Sequence, residues 1–301
     1  MTDPLFDLAS RLAATLPEGV TRTTLPRVEL LKITSPGELT PEVHKPMVSL
    51  IIQGQKRLLI GAEVLHYQGG DTYVAAVDLP MRVEILGCTR ARPYLAVKLS
   101  PDPALIADLA GRSDTKADPS AGRAFAVHAA DAELRDAYRR LLQLRDRPEE
   151  IAVLGPLIQR EILFRLLRGP QDPILRRIAG GIGHGTGIGP AISLIRAGYA
   201  GQIRVSDLAR ASGMSVATLH RRFKAETGMS PLQYRTLIRL YEARGRLITS
   251  PGNVAGVAFG LGYESASQFS REYARAFGAP PLRDARRIRA GLVSERAESP
   301  I

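Results

Sequence analysis

The segment VSDLARASGMSVATLHRRFKAETGMSP (Val205–Pro231) decides the fold of the last third of the chain, because a second segment repeats its pattern. The second segment is VAGVAFGLGYESASQFSREYARAFGAPP (Val254–Pro281), and it follows at a spacing of 49 to 50 residues. A repeat at a fixed spacing predicts two copies of one supersecondary unit. The matching pairs are Val205/Val254, Ala209/Ala258, Gly213/Gly262, Ser215/Ser265, Arg221/Arg271, Gly228/Gly278 and Pro231/Pro281.

Each segment is predicted to form a helix, a tight turn and a second helix. In the first segment, Gly213 permits a sharp turn and Ser215 suits the N-cap of the helix that follows. Leu219 and Phe223 are spaced i, i+4, which predicts a buried helix face. In the second segment, Ser265–Gln268 has the spacing of a capping box. The corresponding buried stripe is Phe269, Tyr273 and Phe277.

Between the two segments, Ser230–Thr249 is predicted to form a single linker helix. Ser230 suits its N-cap, Pro231 its first turn, and Gln233 completes a capping box. A helix of about 18 residues is roughly 27 Å long. That length would hold two DNA-recognition helices about one turn of duplex apart. Its predicted apolar side comprises Leu237, Leu240 and Tyr241.

Positive charge is concentrated in the same region. The chain has a net charge of +11, and residues 201–301 hold 16 Lys+Arg against 8 Asp+Glu. Fifteen of those 16 basic residues are arginine, which makes bidentate contacts with phosphates and guanine edges. Basic surfaces also serve solubility alone, and a plain helical bundle would show similar turns. Aligned arginines on two polar helix faces favour DNA binding over both alternatives.

Over about Ala191–Arg289 the sequence resembles the C-terminal DNA-binding domain of the AraC/XylS family of bacterial transcription regulators. The resemblance implies two helix-turn-helix units, each with its second helix in a major groove of an asymmetric site. It implies base contacts by Ala217, His220, Arg221, Ala266, Ser267, Ser270 and Arg271. The residues expected to contact phosphates are Thr218, Arg222, Lys224 and Gln268.

The region Lys45–Asp102 is predicted to contain short strands, because runs of Val, Ile, Leu and Tyr alternate with Gly, Pro and Asp turns. This spacing indicates an antiparallel barrel or sandwich. The region also resembles the N-terminal domain of one AraC subgroup, which implies a cupin-like barrel that binds a small effector. Asp131–Gly169 is predicted to form two helices. The resemblance implies dimerisation through them, and packing within the domain is a competing and compatible role.

The predicted fold class is therefore a multidomain α+β protein. A cupin-like antiparallel β-barrel with helices, residues 1–179, would precede a linker at 180–190. An all-α domain at 191–290 would carry the two helix-turn-helix units, with a tail at 291–301. The linker contains GGIGHGTGIG (Gly180–Gly189), which supplies neither a dinucleotide-binding Gly-x-Gly-x-x-Gly nor a phosphate loop. We interpret it as a hinge.

The histidines of the N-terminal region do not predict a metal site. Metal-binding cupins use two nearby histidines, a glutamate and a later histidine, whereas His44, His66 and His128 are widely separated. The sequence predicts no metal, no cofactor and no catalysis. A cupin-type enzyme fused to a DNA-binding module is the alternative.

Cys88 is the single cysteine of the chain and a candidate effector-sensing residue. Arg90 and Arg92 follow it closely and would favour the thiolate, the form that reacts with an electrophile. The alternative is that a lone cysteine among strands is a small apolar core residue.

The predicted function is sequence-specific transcription regulation by binding of double-stranded promoter DNA. The expected partners are a small-molecule effector in the barrel, a second copy in a homodimer, and RNA polymerase in the case of an activator. A purely architectural DNA protein would not need a separate N-terminal domain of this size. Cytoplasmic location without membrane contact is expected, because the chain has one cysteine, no signal-peptide pattern and no apolar run of ~18 residues.

Overall fold

The computed structural model describes residues 4–37, 39–112, 122–180, 187–250 and 252–297. Within the glycine-rich segment, residues 181–186 lie outside the described part, as do residues 298–301 of the predicted tail. None of the helices in the described part is long and apolar enough to cross a membrane.

The N-terminal part consists of two antiparallel sheets that follow a first helix, α1 (Pro4–Thr15). The strands are β1 (Gly19–Arg22), β2 (Val28–Ile33), β3 (Thr40–His44), β4 (Met47–Gln53), β5 (Gln55–Ile60), β6 (Glu63–Gln68), β7 (Asp71–Ala75), β8 (Leu79–Leu86), β9 (Tyr94–Leu99) and β10 (Phe125–Ala129). One sheet has the order β1-β2-β9-β4-β7-β10 and the other β3-β8-β5-β6. The predicted antiparallel β domain is confirmed.

The two sheets pack face to face around a shared interior. The ring of Tyr67 on β6 lies 5.9 Å from that of Tyr73 on β7, so side chains of the two sheets meet. The ring of His44 on β3 lies 5.7 Å from that of Tyr73. Strands β4 to β9 correspond to the six apolar runs of the sequence, whereas β1, β2, β3 and β10 were not predicted. Strand β3 (TPEVH) contains a proline and a glutamate, so its composition does not indicate a strand.

Four helices pack beside the sheets: α2 (Pro103–Gly111), α3 (Ala132–Gln143), α4 (Ile151–Leu167) and α5 (Asp172–Ala179). Helices α3 and α4 confirm the two helices predicted within Asp131–Gly169. Asp131 caps α3 by accepting a hydrogen bond from the backbone N–H of Leu134 at 2.7 Å. Arg140 on α3 donates to both carboxylate oxygens of Glu161 on α4, at 2.9 and 2.8 Å.

The C-terminal part is entirely helical, as predicted. Its helices are α6 (Gly189–Gly198), α7 (Val205–Ala211), α8 (Val216–Thr227), α9 (Pro231–Thr249), α10 (Val254–Gly260), α11 (Ala266–Phe277) and α12 (Pro281–Ala297). Helices α7 and α8 form the first helix-turn-helix unit, and α10 and α11 form the second. Helix α9 is the predicted linker helix, and Ser230 and Gln233 make both hydrogen bonds of its capping box, at 3.3 and 2.9 Å.

The hydrophobic core divides within the linker helix. One continuous core begins in α1, passes through the sheets and the first unit, and ends at Tyr234 on α9. The core of the second unit begins at Leu240 on the same helix and ends at Ala285. A polar contact reinforces this first core, since the Tyr234 hydroxyl donates to the Asp78 carbonyl at 2.8 Å. The first unit is thus packed as part of the barrel body.

The turn between β5 and β6 contacts the end of α8, the second helix of the first helix-turn-helix unit. Gly61 has a φ of +60°, and a Cβ atom there would overlap the carbonyl oxygen of Gly228, the C-cap of α8. Gly87 has a similar φ of +61° in another turn, with no atom of the described residues within 4 Å of its Cβ position. The two glycines share a backbone conformation and differ in their surroundings.

Alanine substitutions at Gly61 and Gly87 should together report the energy of the contact between the barrel and the first unit. Gly87→Ala should destabilise the protein by about 1–2 kcal/mol, the cost of a left-handed residue with a side chain. Gly61→Ala should cost a further ~1–3 kcal/mol, because the new methyl group collides with the backbone of Gly228. Urea denaturation of both variants measures the difference. Equal losses in the two variants would show that the β5–β6 turn does not press on the first unit.

Candidate nucleic-acid interface

The first helix-turn-helix unit has the local structure that the sequence predicts. Gly213 adopts a φ of +62° in the turn, and the Ser215 hydroxyl accepts a hydrogen bond from the backbone N–H of Thr218 at 3.2 Å. Leu219 and Phe223 are completely buried under α8. The ring of Phe223 packs edge-on against Tyr234 of the linker helix at 5.4 Å, so the core side of the recognition helix is fixed.

The opposite side of α8 brings the predicted DNA-contacting residues together on one surface. Ala217, His220, Arg221 and Lys224 are exposed, and Thr218 is half-buried at the edge of the surface. These residues lie in the first two turns and the middle of the helix. In helix-turn-helix proteins this part of the second helix reaches base edges in a major groove.

Arg222 is less available than the other predicted residues. Its Nε lies 3.5 Å from the carboxylate of Glu226, one turn later on α8. Glu226 is buried, and Arg177 of α5 approaches its other carboxylate oxygen to 3.5 Å. Burial raises the pKa of Glu226, while the two arginines act in the opposite direction. Part of the positive charge on the recognition helix therefore neutralises a buried carboxylate.

The second unit repeats the arrangement with one difference. Gly262 adopts a φ of +75°, and the Ser265 hydroxyl accepts from the backbone N–H groups of Ser267 and Gln268, at 3.2 and 3.4 Å. The Gln268 side chain donates to the carboxylate of Glu272 at 3.0 Å, instead of serving the predicted capping box. A carboxylate one turn along the helix offers this amide a charged acceptor.

The exposed side of α11 carries the second set of predicted residues. Ser267, Gln268 and Arg271 are exposed, while Ala266 and Ser270 are half-buried. Beneath them Tyr263, Phe269, Tyr273 and Phe277 form a chain of edge-on aromatic contacts, with ring centres 5.2, 5.5 and 4.4 Å apart. Both recognition helices thus present a polar face, with an arginine at the corresponding position, from a rigid support.

Arginines of the linker helix hold the two units at fixed positions. The Arg239 Nε donates to the Leu261 carbonyl in the turn of the second unit at 2.7 Å, and its guanidinium stacks 4.3 Å from the Tyr263 ring centre. Arg235 donates in the same way to the carbonyl of Tyr199, at the end of α6, at 3.2 Å. A guanidinium holds its N–H donors in a fixed planar fork. Each hydrogen bond to a backbone carbonyl therefore sets the angle between the two elements as well as their distance.

A buried ion pair closes the second unit. Arg244 on α9 donates from Nε to the carboxylate of Asp284 at 2.8 Å, and the Tyr273 hydroxyl donates to the same carboxylate at 2.9 Å. Asp284 is completely buried. Burial raises its pKa, but the hydrogen bonds from Arg244 and Tyr273 outweigh burial, so the net direction is downward.

Sequence reasoning did not identify these structural arginines. Arg235, Arg239 and Arg244 were counted in the basic excess that predicted DNA binding, although each is bonded within the protein. The i, i+4 spacing of Arg235 and Arg239 places them on one helix face, and this was the only available signal. Which face points inward depends on the tertiary structure.

The candidate sensor Cys88 lies in the interior. The residue is 2% exposed, and burial raises the pKa of its thiol, whereas the sequence predicted that Arg90 and Arg92 would favour the thiolate. Both arginines are exposed, so their charges face water. The sensor role and its alternative, a small apolar core residue, both stay predictions.

The three histidines that the sequence predicts not to bind a metal lie on three different strands. His44 is buried on β3 and bonds to Glu42 at 3.0 Å, His66 is exposed on β6, and His128 is half-buried on β10. In the described ranges, no three histidine, cysteine, aspartate or glutamate residues converge to hold a metal ion. The absence of a metal stays a prediction.

Two family models match the chain. The model described as the N-terminus of AraC-type transcriptional regulators matches residues 24–174, half of the chain, and a helix-turn-helix domain model matches residues 208–287. The chain belongs to the family of AraC-type transcriptional regulators.

Individual relatives agree with this assignment. A transcriptional activator named RhaS from Yersinia pseudotuberculosis is 31% identical over 136 residues, 45% of this chain and 47% of the relative. RhaS from Pectobacterium carotovorum is 30% identical over 95 residues, 32% of this chain and 34% of the relative. The chain thus spans less than half the length of these curated relatives. An apo form of ToxT from Vibrio cholerae, carrying one lysine-to-alanine substitution, has the same fold, with a TM-score of 0.54 at 11% identity, over 86% of this chain and 96% of ToxT.

The burial of Cys88 predicts its reactivity. A thiol whose reaction requires local opening, and whose pKa is raised, should react with a disulfide reagent at pH 7 at least about tenfold more slowly than in the urea-unfolded chain. The rate of thionitrobenzoate release measures this difference. Equal rates in the folded and unfolded protein would show that the folded thiol is accessible, as the sensor role requires.

Proposed function

We propose that this AraC-type regulator binds a two-part promoter site, with α8 and α11 each reading base edges in a major groove. The observation that carries the proposal is the pair of exposed polar helix faces, with Arg221 and Arg271 at corresponding positions, held by one linker helix. The names of the RhaS relatives, transcriptional activators, support a role in transcription.

The chemistry of the side chains divides the proposed roles. Arg221 and Arg271 suit bidentate bonds to guanine, and His220, Ser267 and Ser270 suit single bonds to base edges. Ala217 and Ala266 are limited to contact with a thymine methyl group. Thr218, Lys224 and Gln268 are assigned to phosphates, and Arg222 joins them only by sharing its guanidinium with Glu226.

The barrel is proposed to bind a small effector and to carry no enzymatic activity or resident cofactor. Its interior holds a buried amine, Lys56, which is 4% exposed, and burial lowers the pKa of this lysine to about 8. The hydroxyl of Tyr73 and Nδ1 of His44 are buried there without hydrogen-bond partners among the described residues, and such groups are rare in natural proteins. A ToxT structure of this fold contains a naphthalenyl butenoic acid, which supports a small-molecule effector.

We also propose that the protein acts in the cytoplasm as a homodimer formed by α4. The exposed side of α4 carries an apolar stripe: Val153, Leu154, Leu157 and Phe164 are 66%, 37%, 59% and 43% exposed. An antiparallel pair of α4 helices would place Glu149, in the turn before the helix, opposite Arg168, directly after it, in both directions. Self-complementary charge of this kind suits a two-fold axis through the helix centre. A dimer that activates transcription would also contact RNA polymerase.

The base-reading roles predict two kinds of loss. Arg221→Ala or Arg271→Ala should cost ~1–3 kcal/mol and relax the preference for one base pair, because a bidentate contact to a base edge is removed. Lys224→Ala should weaken binding to all sequences and reduce the salt dependence, because a phosphate contact is removed. Gel shifts at fixed ionic strength, on the promoter region and on random DNA, measure both.

Arg90→Ala is the matched control for these variants, because Arg90 is an exposed arginine of the N-terminal domain, outside both recognition helices. It should leave base preference unchanged. Equal losses on specific and random DNA for Arg221→Ala would remove its assigned role. A wild-type protein without preference for any DNA sequence would overturn the proposed function.

A charged side chain in the apolar stripe of α4 should weaken the proposed dimer. Leu157→Glu should shift the protein toward the monomer, because it replaces an apolar side chain near the axis of the antiparallel pair with a carboxylate that would lose its water there. Sedimentation equilibrium measures the molar mass. Val64→Glu, at a 53%-exposed position on β6, introduces the same charge away from α4 and should leave the mass unchanged. An unchanged mass for both variants would exclude α4 as the interface.

A further inference from the structure

Two side chains of the linker helix connect the barrel to the second unit. The first is Tyr241, whose hydroxyl donates a hydrogen bond to the carbonyl of Met81 on β8. Its ring packs edge-on against Phe277, the last residue of the second recognition helix, with ring centres 5.4 Å apart. One side chain therefore contacts the barrel, the linker helix and the second unit.

The second is Arg244, which is 9% exposed. Its Nη1 donates to the carbonyl of Pro41 on β3 at 3.2 Å, while Nε and Nη2 donate to the Asp284 carboxylate at 2.8 and 3.3 Å. The guanidinium also lies 5.1 Å from the ring centre of Phe277. Like Tyr241, it joins all three parts of the molecule.

On the barrel side, both acceptor carbonyls belong to paired strands that also face the interior. Strands β3 and β8 are neighbours, with Glu42 opposite Met81. The side chain of Met81 is buried in the barrel. Three residues beyond Pro41, the buried His44 contacts Tyr73 across the interior. A molecule bound in the barrel would thus touch the strands whose carbonyls hold Tyr241 and Arg244.

The two recognition helices differ in how they are attached. The first shares a continuous core with the barrel, up to Tyr234. The second has its own core, and Phe277 and Asp284 within it receive the contacts of Tyr241 and Arg244. A change in β3 or β8 therefore has a route to the second helix that bypasses the packed core of the first unit.

We propose that Tyr241 and Arg244 form a coupling joint through which the barrel sets the position of the second recognition helix, α11. The proposal rests on the proposed function and adds its regulation. Binding in the barrel changes the hydrogen bonds at Pro41 and Met81, which shifts α11 relative to α8 and alters affinity for one half of the DNA site. A ligand shifts the equilibrium only by its differential affinity for the two positions, so the joint must differ between them.

The competing arrangement is that the end of α6, which precedes the first unit, positions the second unit. Contacts of this kind exist, because a Cβ at Gly262 would overlap the Ala200 carbonyl, and Arg246 donates to the Tyr199 hydroxyl at 3.2 Å. A variant that cuts only a barrel bond distinguishes the two arrangements. Tyr241→Phe is such a variant, because it removes the bond to Met81 and keeps the ring on Phe277. A substitution of Arg244 would also break its bonds to Asp284 inside the second unit.

The first arm of the test uses hydrogen–deuterium exchange of the full-length protein without DNA. Tyr241→Phe should speed amide exchange in α11 about two- to tenfold, the effect of one net hydrogen bond, with β3, β8 and α8 unchanged. Arg246→Lys, which cuts the bond from the same helix to Tyr199 at the end of α6, should not reproduce this pattern. Unchanged exchange in α11, or an equal increase throughout the chain, would overturn the joint.

The second arm uses hydroxyl-radical footprints on DNA that the wild-type protein selects from a random pool. The Tyr241→Phe variant should weaken protection over the half-site of the second unit and keep it over the other half. Uniform loss over both halves, or none, would contradict the joint. Failure to select any DNA would refute the proposed function alone, because the exchange arm still reports on the joint.

Discussion

The C-terminal half of the molecule depends on one constraint: the linker helix α9 is held on three sides. Tyr234 and Tyr241 bind carbonyls of the barrel, Arg235 binds the end of α6, and Arg239 binds the turn of the second unit. Because these bonds run to backbone atoms, the position of α9 is set by the fold of each neighbour. The orientation of both recognition helices follows from it.

Arginine has two separate uses in this region. Arg221 and Arg271 extend into solvent from the recognition helices, whereas Arg239 and Arg244 are bonded inside the second unit. The planar guanidinium suits both, since its fixed fork of donors binds a carboxylate, a carbonyl or a base edge with defined geometry. Net charge therefore overstates the surface offered to DNA, because part of it neutralises buried carboxylates such as Asp284.

The division of the core has a functional consequence. A first unit packed onto the barrel behaves as part of one body, since interiors are close-packed and transmit displacement. The second unit has its own core and is joined to that body by side-chain contacts, such as those of Tyr241 and Arg244. An asymmetric attachment of two similar DNA-binding units allows control of one half of a bipartite site.

The sequence by itself determined the local structure of this protein. The repeat of Gly213 and Gly262, the caps Ser215, Ser230 and Ser265, and the stripes Leu219/Phe223 and Phe269/Tyr273 depend on neighbours within a few residues, and all were predicted correctly. Six apolar strands were recognisable for the same reason, while the short, mixed-polarity β3 was not. The tertiary structure alone decided which arginines face inward, that Cys88 is buried with a raised thiol pKa, and that the core divides between Tyr234 and Leu240. These outcomes depend on contacts between different elements of the fold, from Arg239 with Leu261 to Tyr234 with Asp78, and no local pattern encodes them.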